Sequence, residues 1–265
     1  MPVRSLIRSL WDFRGFVASA VAAEYRSRFA RSRFGFAWLV LQPLFQVAIF
    51  ALVLAEVLGA RLPGVESAFG YAAYLLTGIL AWSLFADLMQ RLSTVFIDNA
   101  SLLKKLSVPR AALPLVAVGS VGVTHVALMT ILLIALPVLG FQPSLHWLWL
   151  PVLTAITVLL ALGLGIIVGT INVVMRDAAQ VLGVLLQLGF WMTPIVYHPD
   201  VLPDALQPWV ALNPMAVMVM AFHDVMLFRA HPGWGVLCVA VGAMGLNALG
   251  WWVFRRASTD VVDAL

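Results

Sequence analysis

Long apolar stretches, separated by short polar or charged segments, follow one another along most of this chain. Each stretch is about 20 residues or longer, and a helix of that length crosses the roughly 30 Å hydrocarbon core of a membrane. We expect six membrane-spanning helices, at about residues 36–58, 70–92, 111–139, 146–171, 178–197 and 233–254. The pattern therefore predicts an all-α integral membrane protein.

The segment before the first span is too polar to cross a membrane. Apolar residues recur at helical spacing, at positions 6, 10, 13, 17 and 21, whereas Arg4, Arg8 and Asp12 fall on another face. Such a helix would lie in the cytoplasmic interface with its arginines toward anionic headgroups. A disordered basic tail is the alternative.

Prolines interrupt the apolar stretch between residues 187 and 226 at positions 194, 199, 203, 208 and 214. Each removes an amide donor, so one continuous helix is excluded. Asn213 and Pro214 form a good helix start, with asparagine as N-cap and proline at the first helical position. We expect the fifth span to break near Pro194 and a helix over 214–226 to dip back without crossing. Irregular backbone survives at membrane depth only beside protein or water, so this element implies a lumen. An external loop resting on the surface is the alternative.

Glycines cluster in two of the expected spans. Gly163, Gly165 and Gly169 lie in the fourth span, and Gly242 and Gly245 lie in the sixth. Small residues at these spacings let helix backbones approach closely, so we expect helix packing at both clusters.

Basic residues lie mainly in one set of loops. That set contains Arg4, Arg8, Arg14, Arg26, Arg28, Arg31, Arg33, Lys104, Lys105, Arg110, Arg176, Arg255 and Arg256. The opposite loops hold only Arg61 and Arg229. Cytoplasmic loops carry the excess of lysine and arginine, which predicts that both termini lie in the cytoplasm.

The composition supports a lipid environment. Hydrophobic residues make up 63% of the chain and charged residues 11%, whereas a soluble domain carries about a quarter of its residues as charged side chains. The net charge of +4 belongs to the cytoplasmic loops and indicates no nucleic-acid partner. Cys238 is the only cysteine, which excludes an intrachain disulfide and a cysteine-based metal site.

Motifs for catalysis are missing from the sequence. No Gly-Lys pair occurs, so the phosphate-binding loop of ATPases is excluded. No Gly-x-Ser-x-Gly elbow occurs, and the five histidines have no metal-ligand spacing. We therefore expect no catalytic residue, no metal and no bound cofactor, with ATP and Mg²⁺ held by a separate subunit.

Polar residues inside the expected spans are costly to bury and mark candidate sites. Gln42 and Gln46 share a face of the first span, and Gln187 and Trp191 share a face of the fifth. Asp87 is spaced to form an ion pair with residue 91, an arginine, one turn later. Hydrogen bonding between helices is the alternative to substrate contact for each of them.

The cytoplasmic loop over 98–110 has features of a short exposed helix. Asp98 or Asn99 is suited to cap it, and Pro109 stops it. Its leucines, at positions 102, 103 and 106, would fit a groove on a partner protein. Docking onto the protein's own bundle or onto lipid headgroups is the alternative.

Five segments, in their order and spacing, carry a resemblance to a known family. They are 24–38 (EYRSRFARSRFGFAW), 99–110 (NASLLKKLSVPR), 176–177 (RD), 193–197 (TPIVY) and 212–215 (LNPM). Together they resemble the permease subunits of type-2 ABC exporters, in particular the O-antigen and teichoic-acid export group, over nearly the whole chain. One departure is His223, which stands where family members often carry an arginine.

The resemblance implies a bacterial inner-membrane homodimer that binds two ABC ATPase subunits. Residues 4–30 would form the interface helix and 98–107 the coupling helix seated in the ATPase, with 197–226 as a re-entrant gate region. The implied ATPase-coupling residues are Asn99, Leu102, Leu103, Lys104, Lys105 and Leu106. The implied gate residues are Thr193, Pro194, Tyr197, Asn213 and Pro214.

The implied cargo is a lipid-linked polysaccharide, with O-antigen favoured. Aromatic faces and amides suit a conduit for a sugar polymer because they contact pyranose rings without fixed charge. The candidate channel residues are Gln42, Phe45, Gln46, Trp82, Phe85, Gln187, Phe190 and Trp191. Each aromatic residue is alternatively lipid-facing or part of an interfacial belt.

Three other functions stay open. A capsule or teichoic-acid exporter and a small-molecule exporter would share the same fold and coupling helix. An integral-membrane lipid-modifying enzyme would need clustered His, Asp or Glu at one membrane face, and the sequence has no such cluster.

Overall fold

A computed structural model describes residues 14–29, 69–100 and 112–264. It also describes the single positions 34, 35, 37, 38, 41, 42, 45 and 49. For residues 28, 29 and 257–264 it describes the backbone alone. The helices are α1 (Arg14–Phe29), α2 (Gly70–Asp98), α3 (Ala112–Val138), α4 (Leu150–Val174), α5 (Ala178–Met192), α6 (Gln207–Leu212), α7 (Pro214–His223) and α8 (Gly235–Ala264). Short 3₁₀ turns lie at Leu145–Trp149 and Pro199–Val201, and a π turn at Asp224–Phe228 extends α7. The described ranges contain helices, turns and loops but no β-strand.

Four described helices are long and apolar enough to cross a membrane: Gly70–Asp98, Ala112–Val138, Leu145–Val174 and Gly235–Arg256. They overlap the expected second, third, fourth and sixth spans. The expected first span, 36–58, lies outside the described residues except for single positions. The all-α integral membrane class is therefore confirmed on the part of the chain that the structure describes.

The expected fifth span is short and interrupted. α5 has 15 residues, which is roughly 22 Å at 1.5 Å per residue and less than a hydrocarbon core. It ends at Met192, before Pro194, because a residue that precedes proline is disfavoured in the helical region. Thr193 accordingly has an extended backbone, with φ −105° and ψ 137°.

α2 lies at the centre of the bundle. In its most apolar window 72% of residues are buried, against 28%, 39% and 22% in the other three spanning helices. It packs against α3, α4, α5 and α7, while α4 also packs against α8. The core therefore surrounds α2, and the other long helices keep broad apolar faces on the outside.

Glycines allow α4 to approach its neighbours. A Cβ at Gly165 would lie 2.6 Å from Leu92 Cβ of α2, and one at Gly163 would lie 2.8 Å from the backbone nitrogen of Asn247 of α8. A Cβ at Gly169 would collide with the Leu92 carbonyl oxygen. The packing expected of the fourth-span cluster is thus confirmed.

The packing expected at Gly242 and Gly245 is wrong for the described chain, since a Cβ at either would meet nothing within 4 Å. The glycine of α8 that packs on α4 is Gly250, where a Cβ would lie 2.8 Å from the Gly163 carbonyl oxygen. The sequence thus predicts correctly that α8 packs through a glycine. The rotation of α8 about its axis turns Gly250, not Gly242 or Gly245, toward α4.

α1 lies against α3. A Cβ at Gly119 of α3 would stand 3.1 Å from Val21 Cγ2, so the glycine makes room for the apolar side of α1. This confirms a helix over residues 14–29 of the expected interface segment, whereas residues 4–13 lie outside the described residues.

Candidate functional site

A groove separates α2 from α5 and is open along one side. Its volume is about 440 Å³. The lining residues are Ile79, Trp82, Ser83, Ala86, Asp87 and Gln90 of α2 with Gly183, Leu186, Gln187, Phe190 and Trp191 of α5. The wall thus combines aromatic rings, amides and one carboxylate.

The aromatic rings of the groove are arranged edge to face. The Trp82 and Phe190 centroids are 6.1 Å apart at 75°, and those of Phe190 and Trp191 are 5.5 Å apart at 89°. Gly189 lets Trp82 lie against α5, because a Cβ there would be 3.0 Å from the Trp82 ring. Trp191 is 55% exposed, so much of its surface is available to a ligand or a neighbouring chain.

The structure brings together some of the channel residues expected from the sequence. Trp82, Gln187, Phe190 and Trp191 share the groove. Phe85 is 7% exposed and packs in the core beside Trp82, so it lies outside the groove.

The remaining expected channel residues come from the first span. Gln42 and Phe45 are exposed single positions that do not line the groove, and Gln46 lies outside the described residues.

The turn after α5 is tied to the start of α7. Thr193 is fully buried, and its hydroxyl donates to the Gly189 carbonyl at 2.8 Å. The Asn213 side-chain NH₂ donates to the Thr193 hydroxyl at 3.0 Å, while its Oδ1 accepts from the Met215 backbone N–H at 3.0 Å. The N-cap expected at Asn213 is confirmed, and Pro214 occupies the first turn of α7.

Two tyrosines of α2 hold the same turn from the other side. The Tyr71 hydroxyl donates to the Val196 carbonyl at 2.8 Å. The Tyr74 hydroxyl lies 3.1 Å from the Pro194 carbonyl and 3.0 Å from the Tyr197 carbonyl. We did not anticipate these contacts from the sequence. The available signal was a pair of tyrosines in an apolar span, since a buried phenol requires an acceptor.

α7 is fastened to α2 through His223. The imidazole is 2% exposed and stacks on the Tyr74 ring, with centroids 3.7 Å apart. Its Nε2 lies 3.0 Å from the Tyr74 carbonyl, which requires the Nε2–H tautomer. Gly78 is needed beside it, because a Cβ there would lie 3.1 Å from Nε2. The residue that departs from the family pattern is therefore a packing residue at the α2–α7 contact.

The C-terminal end of α2 leads into the expected coupling segment. The Thr94 hydroxyl donates to Asp98 at 2.6 Å, and the Asn99 side chain donates to the Val95 carbonyl at 2.9 Å, so both side chains complete the end of α2. Leu102, Leu103, Lys104, Lys105 and Leu106 lie outside the described residues, and the coupling helix over 98–107 stays a prediction.

A bundle of long apolar helices around one buried helix, with a short helix and an aromatic groove beside it, is the architecture of an integral membrane protein. The chain belongs to the ABC-2 type transporter family, whose sequence model matches residues 17–227. It is a transporter permease, and the resemblance seen in the sequence is confirmed.

Named relatives cover most of the chain. An O-antigen export system permease protein of Klebsiella pneumoniae is 29% identical over 77% of this chain and 77% of its own length. A protein of the same name from Myxococcus xanthus is 28% identical over 83% of each chain. A polysialic acid transport protein of Escherichia coli is 20% identical over 77% of this chain and 78% of its own length.

Proposed function

We propose that this protein is the membrane-spanning permease of an ATP-driven exporter that moves lipid-linked polysaccharide, with O-antigen as the favoured cargo. The observation that carries the proposal is the match to O-antigen export permeases from two bacteria over 77% and 83% of this chain.

The chemistry of the groove supports a sugar polymer as cargo. The rings of Trp82, Phe190 and Trp191 offer apolar faces, and Gln187 offers an amide beside them. Aromatic faces and amides contact a pyranose ring without stripping water from fixed charges, so a chain can slide past them. We assign these four residues to the polysaccharide path and extend it along Gln42, Phe45 and Gln46 of the first span.

The working assembly in this proposal is a homodimer in the bacterial inner membrane that binds two ABC ATPase subunits. Six spans with both termini in the cytoplasm would place the coupling helix over 98–107 against the ATPases, which hold the ATP and Mg²⁺. The chain itself contains no Gly-Lys pair for a phosphate-binding loop, so ATP hydrolysis requires that partner.

The re-entrant region over 197–226 is assigned the role of a gate at the outer mouth. The Thr193–Asn213 hydrogen bond and the Tyr74 contacts to the Pro194 and Tyr197 carbonyls make this region one connected unit on α2. A shift of α2 or α5 would therefore displace Thr193, Pro194, Tyr197, Asn213 and Pro214 together.

The experiment that tests the function is deletion of the gene in its host, followed by complementation. Loss of the permease should remove the long polysaccharide from the cell surface and leave lipid-linked glycan in the inner membrane. Normal surface polysaccharide in the deletion strain would exclude polysaccharide export and favour a small-molecule exporter.

A capsular polysaccharide is the second candidate cargo, and the similarity to polysialic acid transport proteins favours it. The two cargoes differ in their lipid carrier. Mass analysis of the glycan that accumulates in the deletion strain should find a polyprenyl diphosphate anchor for O-antigen, whereas a phospholipid anchor would support capsule.

A further inference from the structure

α1 is attached by two adjacent residues to two different helices. Glu24 forms an ion pair with Arg91 of α2. The Tyr25 hydroxyl lies 2.6 Å from the Ser120 carbonyl and 2.6 Å from the Thr124 hydroxyl of α3. α1 therefore bridges the two spans that flank the cytoplasmic loop.

Both attachments lie close to that loop. Arg91 stands about two turns before the end of α2 at Asp98, and Ser120 about two turns after the start of α3 at Ala112. The loop between these ends is the segment expected to contact the ATPase. A displacement of the loop that moved these two helix ends would therefore act on α1 through the bridge.

An open cleft of about 500 Å³ lies between the three helices at this point. Glu24, Arg91, Asp98 and Asn99 contribute to its walls, together with Leu113 of α3. On the α2 side, the Glu24–Arg91 ion pair thus joins α1 to α2 at the wall of this cleft. The ion pair is the connection that a single substitution removes.

The pair itself adds little to stability. The Arg91 and Glu24 side chains are 36% and 28% exposed, and ion pairs at such exposure are weak because water screens them and long side chains lose entropy. If a variant without the ion pair exported much less glycan, the cause would therefore be the lost connection between α1 and α2 rather than unfolding of the protein.

We infer that Glu24 and Arg91 are positioning residues that couple the ATPase-contacting loop to α1, so that each ATP hydrolysed drives more export when the pair is intact than when it is broken. The inference rests on the proposed export function. In the sequence, α1 precedes the expected first span, to which part of the proposed polysaccharide path is assigned.

The test uses the full complex of permease and ATPase, reconstituted in proteoliposomes with lipid-linked glycan. Glu24→Gln and Arg91→Gln should assemble and hydrolyse ATP as the wild type does. Glycan exported per ATP hydrolysed should fall roughly tenfold, a loss typical of a coupling free energy between sites. Arg26→Gln is the matched control, since Arg26 is an exposed charge on the same helix whose Nε donates to its own Ala22 carbonyl; it should export normally.

Charge rescue separates a positioning role from a structural one. Arg91→Lys should keep most of the export, because lysine keeps the positive charge. The swap Glu24→Arg with Arg91→Glu should restore only part of the export, because a glutamate at position 91 lies one turn from Asp87 and the two like charges repel each other. Unchanged export per ATP in both glutamine variants would overturn the inference. A second result would also overturn it. In that result the glutamine variants fail to assemble with the ATPase, and the charge-swapped variant assembles but does not regain export. Absence of glycan export by the wild-type complex would instead count against the proposed function.

Discussion

Tyr74 joins three parts of the molecule through one side chain and one carbonyl. Its hydroxyl lies within hydrogen-bond distance of the Pro194 and Tyr197 carbonyls in the turn after α5. Its ring stacks on His223, and its backbone carbonyl is hydrogen-bonded to the His223 imidazole. The side chain is 1% exposed, so water cannot replace a lost hydrogen bond there. At the residue scale, Tyr74 therefore ties both the turn after α5 and the end of α7 to α2.

Tyr74→Phe should keep the ring stacking and remove only the hydroxyl. We expect a loss of about 1–3 kcal/mol in the free energy of unfolding, because the Pro194 and Tyr197 carbonyls lose the one hydroxyl proton that they share. Thermal unfolding of the purified protein in detergent measures it. Tyr197→Phe is the control, as no described hydrogen bond uses its hydroxyl, and equal stability of the two variants would contradict the role given to Tyr74.

Trp191 provides the residue-scale test of the groove. Because its side chain is 55% exposed, Trp191→Ala should leave the unfolding temperature nearly unchanged. Glycan export should nevertheless fall severalfold, since the variant removes a large aromatic face on which a pyranose ring of the proposed cargo would pack. Trp234→Ala, at an 88% exposed position away from the groove, is the matched control. Equal export by both variants would mean that Trp191 faces lipid or a second copy.

At the scale of elements, the helices differ in how firmly they are held. α4 contacts α2 and α8 through glycines, and its Asn172 adds a hydrogen bond to the Ser93 carbonyl of α2 at 2.9 Å. The same side chain accepts from the Ala179 backbone N–H at 3.1 Å and so supports the start of α5. α5 itself buries only Leu182 and Leu186 to a high degree. A closely packed frame of α2, α4 and α8 thus carries a lightly packed α5 beside the groove.

Gly165→Ala tests that frame. Its new methyl group would lie 2.6 Å from Leu92 Cβ and would force α2 and α4 apart. We therefore expect the free energy of unfolding to fall by about 1–3 kcal/mol. Gly242→Ala is the matched control, because a methyl group there meets nothing within 4 Å among the described residues and alanine favours helix. Unfolding in detergent compares them, and a neutral Gly165→Ala would show that the contact relaxes easily.

At the scale of the whole molecule, charge placement and helix ends agree. α2 continues past residue 92 to Asp98, and α8 continues past residue 254 to Ala264. Both extensions carry charged or polar residues and fall at ends that the positive-inside rule assigns to the cytoplasm. Arg91 is tolerated near the end of a span because Glu24 of α1 pairs with it.

Topology can be checked with single cysteines in a Cys238→Ala background, since Cys238 is exposed. Cysteines replacing Ser5, Ser101 or Ser258 should resist an impermeant thiol reagent in intact cells, because the positive-inside rule predicts that these basic segments lie in the cytoplasm. Asp204→Cys, at an exposed position between α5 and α6, should react and is the positive control. Labelling at position 101 from outside would reverse the proposed orientation.

Much of the architecture follows from local features of the sequence. The length of the apolar stretches predicts α2, α3, α4 and α8 to within a few residues at most ends, because a helix must match the thickness of the hydrocarbon. Pro194 predicts where α5 stops, and Asn213 with Pro214 predicts the start of α7. These features act within a few residues of themselves, so no knowledge of neighbouring helices is needed.

Helix rotation and side-chain partners required the tertiary structure. Lipid and protein core are both apolar, so hydropathy does not reveal which face of a spanning helix meets a neighbour. Trp82 lines the groove while Phe85, three residues later, is buried; Gly250 rather than Gly242 packs on α4. The contact between Arg91 and Glu24 joins residues 67 positions apart, and no local pattern encodes it. The sequence by itself determined the membrane class, the breaks and the caps, whereas helix packing decided the groove, the tyrosine contacts and the link to α1, because these depend on how separate helices turn toward one another.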